Sequence, residues 1–170
     1  MSLDILQLVS IVIPLTVAIT GVVLTLWKHR KHTQQARVSR ILQPLRDIQY
    51  RLERLKVMYE EPHQDTHLHF CSELDQLNQI IHNTIVGRGL SYDIRKESKS
   101  MKNRLLDLNI RCLDVKEEYR KRKSLIRSDD VDSQNRLFDE YRMQLFKDEQ
   151  IKYLVYQLVY ELEKWLLKHS

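Results

Sequence analysis

Glycine and proline are scarce in this 170-residue chain: three of each, at Gly21, Gly87, Gly89, Pro14, Pro44 and Pro62. A many-stranded sandwich or barrel needs a turn signal about every 8–12 residues, so that class is excluded. Collagen-like and low-complexity chains are excluded by the same scarcity. Two cysteines, Cys71 and Cys112, are too few for a disulfide scaffold. The sequence has no glycine-rich phosphate loop, nucleophile elbow or two-cysteine redox motif. No Lys or Arg precedes Lys28, and no charge of either sign falls between Ile5 and Trp27. What is left is a basic chain, 28 Lys plus Arg against 23 Asp plus Glu, with the patterning of helices.

The uncharged run from Ile5 to Trp27 has 23 residues, 14 of them Leu, Ile or Val. As a helix it is about 34 Å long, against a hydrocarbon core near 30 Å. A cleaved signal peptide would have a basic start, a shorter apolar run and a small-residue cleavage site. This run instead follows Met1-Ser2-Leu3-Asp4 and ends in Trp27-Lys28-His29-Arg30-Lys31-His32. Trp27 suits the interfacial aromatic belt, and the basic cluster follows the positive-inside rule. The prediction is a single transmembrane helix over 5–27, N-terminus out, with residues 28–170 cytosolic and a bacterial inner membrane as the plainest location. Lys28, Arg30 and Lys31 are then placed at the lipid headgroups.

Within the run, Gln7, Ser10, Pro14, Ala18, Gly21 and Thr25 share a sector of about 80° at about 100° per residue. Lipid gives helices no hydrophobic reason to associate, so small residues and interhelical hydrogen bonds carry such contacts. Pro14 also frees the Ser10 carbonyl for a neighbouring helix or water. This stripe predicts a homo-oligomer interface, or a pore lining if several copies surround an axis. Thr16 and Thr20 on the opposite side also fit a plain lipid-facing anchor.

Beyond the run, apolar residues recur at 3-and-4 spacing between the few breakers. One helix is predicted over about 33–60, with the seam Val38, Ile41, Leu45, Ile48, Leu52, Leu55 and Tyr59; Pro44 within it predicts a kink or a new start near Leu42. Pro62 ends it. The second spans about 66–86, capped by Asp65 or Thr66 and stopped by Gly87-Arg88-Gly89. The third, about 91–127, is capped by Ser91, and the fourth, about 133–169, has the widest apolar stripe. Short turns between long helices give antiparallel neighbours. The predicted fold is therefore all-α, a cytosolic antiparallel four-helix bundle behind a membrane anchor. Net charge alternates +6, −3, +6, −3 over residues 28–60, 61–90, 91–128 and 129–170. Folding the last two helices about position 130 brings Asp148, a carboxylate on a core stripe, to Arg111.

Candidate chemistry is sparse. His63, Asp65, His67, His69 and Cys71 crowd one turn, but no second Cys/His pair stands nearby to complete a zinc site, so they read as a solvated cap. The Asp129-Asp130-Asp132 cluster fails as a calcium loop: counted from Asp130, the sixth residue is Asn135 rather than Gly, and the twelfth is Tyr141 rather than Glu. Adjacent acidic pairs such as Glu117-Glu118 diverge by about 100° on a helix and cannot form a catalytic dyad. No metal or cofactor is expected. The densest positive charge is Arg120, Lys121, Arg122 and Lys123, continuing to Arg127, with Tyr119 as a stacking surface. It is a candidate nucleic-acid or partner patch, or a solvated terminus whose cations complement the helix dipole.

One span before a basic four-helix domain resembles the small membrane accessory proteins of RNA-targeting CRISPR systems, and no specific motif carries the likeness. The resemblance implies a HEPN-type bundle on a membrane anchor and an oligomeric pore in antiphage defence. HEPN ribonucleases carry Arg, four to six residues, then His, for phosphate charge and proton transfer. The nearest match here is Lys164-Trp165-Leu166-Leu167-Lys168-His169, where Lys lacks the bidentate fork and His169 is penultimate. That departure argues against an enzyme. The sequence thus predicts a bitopic, self-associating membrane protein that couples a cytosolic signal or protein partner to the bilayer. The alternative is a membrane-tethered adaptor holding protein or RNA without conducting.

Overall fold

The computed structural model describes the backbone of residues 2–87 and 90–169, and the side chains of 15–85 and 90–169. Arg88 and Gly89 of the expected glycine stop and the side chains of Gln7, Ser10 and Pro14 lie outside the described residues. The chain divides into two compact units, Met1–Arg40 and Ile41–Ser170. Helix α1 (Ser2–Glu60) contributes to both.

In the first unit the described side chains are exposed, apart from the half-buried Arg37 and Val38. Among the described residues no helix is long and apolar enough to cross a membrane. This corrects the transmembrane helix expected over 5–27. From Lys28 onward the same helix continues through charged sequence. The new start expected near residue 33 is corrected with it, because α1 is continuous to Glu60 and passes through Pro44.

The second unit is all-helical among its described residues. After α1 come α2 (Thr66–His82), a π-helical turn (Asn83–Gly87), α3 (Ser91–Glu97), α4 (Lys99–Ser124), α5 (Val131–Lys147) and α6 (Glu149–His169). Ile41, Leu45, Ile48, Leu52 and Leu55 of α1 are fully buried, as the seam predicts. Phe70, Leu74, Leu77 and Ile81 face them from α2; Met101, Leu105 and Leu108 come from α4, and Ile151, Val155, Leu158 and Leu162 from α6. Each such side chain contributes about 2 kcal/mol by leaving water. An aromatic cluster ties four helices together: Tyr59 lies 4.8 Å from Phe70, 5.4 Å from Phe146 and 6.4 Å from Tyr156.

Polar pairs fix the register. Arg111 donates to Asp148 Oδ2 from Nε and Nη2, at 3.0 and 2.7 Å, the contact expected from the sequence. Arg104 meets Glu161 and Gln157 on one side of that pair, and Arg122 meets Glu140 on the other. All of these fold about position 130, so α4 runs antiparallel to α5 and α6. Arg51 and Arg54 on Glu73 pair α1 with α2 in the same antiparallel sense.

The expected four helices need one correction. Each of the last two long helices is two helices separated by a single residue. At Ser98 the backbone is extended (φ −155°, ψ 96°) and the hydroxyl accepts from Met101 N–H, capping α4. At Asp148 (φ −69°, ψ 109°) the carboxylate accepts from Ile151 N–H at 2.9 Å, capping α6. Both are residues that favour helix starts because their side chains satisfy an otherwise orphaned N–H.

Candidate interaction surfaces

Among the described residues, three surfaces and two clefts stand out. The first surface is the apolar stretch of the N-terminal unit. Leu15, Val17, Ile19, Val22, Val23, Leu24, Leu26 and Trp27 are each more than half exposed. At about 100° per residue they cover most of the helix circumference. Small residues occupy the remaining sector, Ala18, Gly21 and Thr25. A Cβ at Gly21 would meet nothing within 4 Å, so this stripe is open along its length. Thr25 donates its hydroxyl to Gly21 O at 2.8 Å, and Thr20 donates to Thr16 O at 2.7 Å. These hydroxyls are satisfied within their own helix and do not require an interhelical acceptor. Immediately after the stretch, Lys28, Arg30 and Lys31 are exposed, with Lys31 Nζ 5.3 Å from the Trp27 ring centroid.

The second surface is the basic end of α4. Its charge is partly answered: Arg120 pairs with Glu117 at 2.6 Å, and Arg122 with Glu140 of α5 at 2.6 Å. Lys121, Lys123 and Arg127 are exposed. Tyr119 is occupied by packing, stacked on Tyr141 at 4.6 Å, with Phe138 at 5.9 Å and Lys123 over its ring. The structure thus gathers the expected basic residues at the α4–α5 turn while withdrawing the aromatic platform expected beside them.

A cleft of about 570 Å³ lies at the α1–α2 turn. Its lining includes His63, Asp65 and His69 of the crowded polar turn, together with Arg54 and Glu73. Among the described residues no group of three or more His, Cys, Asp or Glu is placed to hold a metal ion. A second cleft, about 550 Å³, opens between α2, α4 and α5, with Asp75, Asn78, Cys112, Lys116 and Tyr141 on its walls. Both thiols are buried and unpaired. Desolvation pushes Cys71 up to about 11 and Cys112 up to about 12, so both stay protonated and are poor nucleophiles near neutral pH. At the C-terminus, His169 Nδ1 lies 2.7 Å from Trp165 O and its ring stacks on Trp165 at 4.1 Å.

Among the buried or half-buried carboxylates that sequence reasoning missed, two are held by arginines from neighbouring helices. Glu73 is buried and held by Arg51 at 3.0 Å and Arg54 at 2.8 Å. Glu161 is half-buried and receives Arg104 at 2.7 Å and the Ser100 hydroxyl at 3.0 Å. The signal was available. Glu73 lies between Phe70 and Leu77, and Glu161 between Leu158 and Trp165, at the same 3-and-4 spacing as the core itself.

The third surface, the outer face of α6, presents Tyr153, Tyr160 and Leu167 to solvent. No protein-family model matches this chain, and no curated protein or solved structure shows significant similarity to it.

Proposed function

We propose that this chain is a non-enzymatic adaptor, tethered to a lipid bilayer by the apolar stretch of its first unit and self-associating through its helical unit to hold a protein partner there. The observation that carries the reading is the exposure, on most sides of the helix, of the apolar side chains from Leu15 to Trp27. A partner helix covers one stripe, whereas a helix apolar on most sides needs apolar surroundings on most sides. Lipid supplies them. Lys28, Arg30 and Lys31 directly follow the stretch and suit anionic headgroups, at about 1 kcal/mol each, and Trp27 suits the interface. Their charge favours the cytoplasmic leaflet as the surface beside which the helical unit works. A protein is the better cargo than RNA, because Arg120 and Arg122 already have carboxylate partners and Tyr119 has no free face for a base. The pore implied by the CRISPR-accessory resemblance requires several crossing spans around an axis and is not part of this proposal.

Flotation of the full chain with vesicles of phosphatidylcholine and phosphatidylglycerol tests the tether. The unaltered protein rises with the vesicles, while Val17→Asp/Val23→Asp stays at the bottom with its helical circular dichroism retained. Replacing Lys28, Arg30 and Lys31 by Gln weakens binding to anionic vesicles about a hundredfold, and hardly at all to neutral ones. An unaltered protein that fails to float, or an Asp variant that still floats, contradicts the proposal.

A further inference from the structure

We propose that the outer face of α6 is the self-association surface, on which a second copy of this chain pairs with its α6 antiparallel to the first. This deepens the self-association in the reading above by assigning it a place. Tyr153, Tyr160 and Leu167 recur every seven residues and are 58, 63 and 75% exposed, on a helix whose opposite face is buried. A seven-residue repeat drifts by only about 20° per step on a helix, so the three lie along one line. Tyrosine is the residue type enriched where one protein covers another, since it combines large apolar area with few rotatable bonds.

Charge on the same face selects the occupant and its direction. Glu149 stands on this line at its N-terminal end, and at the C-terminal end the exposed Lys164 and Lys168 flank it on one side and the exposed Glu163 on the other. A parallel copy would set like charges opposite one another. An antiparallel copy, related by a two-fold axis between Leu158 and Val159, sets Glu149 against Lys168, Tyr153 against Lys164, and Gln157 against Tyr160. Each contact then occurs twice, as an isologous interface requires. The Lys164 ammonium meets a tyrosine face, and the two helix dipoles oppose.

Cysteine cross-linking of the full chain in detergent, using a short bismaleimide, tests both surface and direction. Cys71 and Cys112 are buried, so the unaltered protein is the background and stays unlinked. Tyr160→Cys lies next to the axis and gives a cross-linked dimer. Glu149→Cys alone does not, because its two copies stand about 28 Å apart at 1.5 Å per residue. Mixing Glu149→Cys with Lys168→Cys restores the dimer. Tyr160→Asp, helical by circular dichroism, weakens dimerisation about tenfold or more in light scattering.

A Tyr160→Cys protein that stays unlinked while fully helical overturns the proposal. So does a Glu149→Cys protein that links to itself. Loss of cross-linking with flotation intact removes this surface alone; loss of flotation with cross-linking intact removes the lipid tether alone.

Discussion

Glu73, Asp148 and Glu161 each occupy an apolar stripe, and each is met by an arginine from a neighbouring helix. A carboxylate in such a place is costly unless its lone pairs are filled. Asp148 shows how the balance is struck. Burial pushes its carboxyl up, but hydrogen bonds from Arg111 and from the Ile151 and Gln150 N–H groups outweigh that and hold it below the ordinary carboxylate range. A depressed folded-state pKa means stability that is fully present above the unfolded value, near about 4, and lost as pH falls through the folded value. Asp148→Asn keeps a good capping side chain and removes only the charge. It lowers stability by about 2 kcal/mol at pH 7, and urea melts at successively lower pH show the gap to the unaltered protein narrowing below about pH 4. A gap that does not change with pH would show that Arg111 contributes nothing through charge.

Among elements, the two single-residue breaks separate what the sequence disclosed from what it hid. The break at Asp148 was legible: Leu145 and Ile151 are six residues apart, about 600° around a continuous helix, which leaves them about 120° out of line. One non-helical residue between them restores a common buried face, and both are buried. The break at Ser98 had no such signal, since Ile94 and Met101 are seven apart and would align on an unbroken helix. Only the capping bond to Met101 N–H discloses it. Core seams, antiparallel order and the Arg111–Asp148 register were readable because long helices repeat one pattern many times. The paired carboxylates Glu73 and Glu161 were hidden by treating stripes as apolar only. Ser98→Ala removes the α4 cap and lowers the thermal midpoint, at a cost of about 1 kcal/mol. An unchanged midpoint would mean that α3 and α4 are joined by packing rather than by the cap.

For the whole molecule, two units have opposite surface logic. Residues 41–170 bury their apolar stripes against one another and pair several of their charges across helices. Residues 15–27 expose apolar side chains on most sides and contain no charge at all. The sequence made that stretch conspicuous but overstated it as a crossing helix, since among the described residues no helix is long and apolar enough to cross a membrane. Its exposed surface still calls for an apolar environment, and the claim that lipid provides it can be read out at one tryptophan at the edge of the run. In a Trp165→Phe background, Trp27 is the sole tryptophan. Its fluorescence in phosphatidylcholine–phosphatidylglycerol vesicles is the most direct test. Lipids brominated at acyl carbons 6 and 7 quench Trp27 if the stretch enters the bilayer surface as proposed; emission identical in brominated and plain vesicles contradicts it.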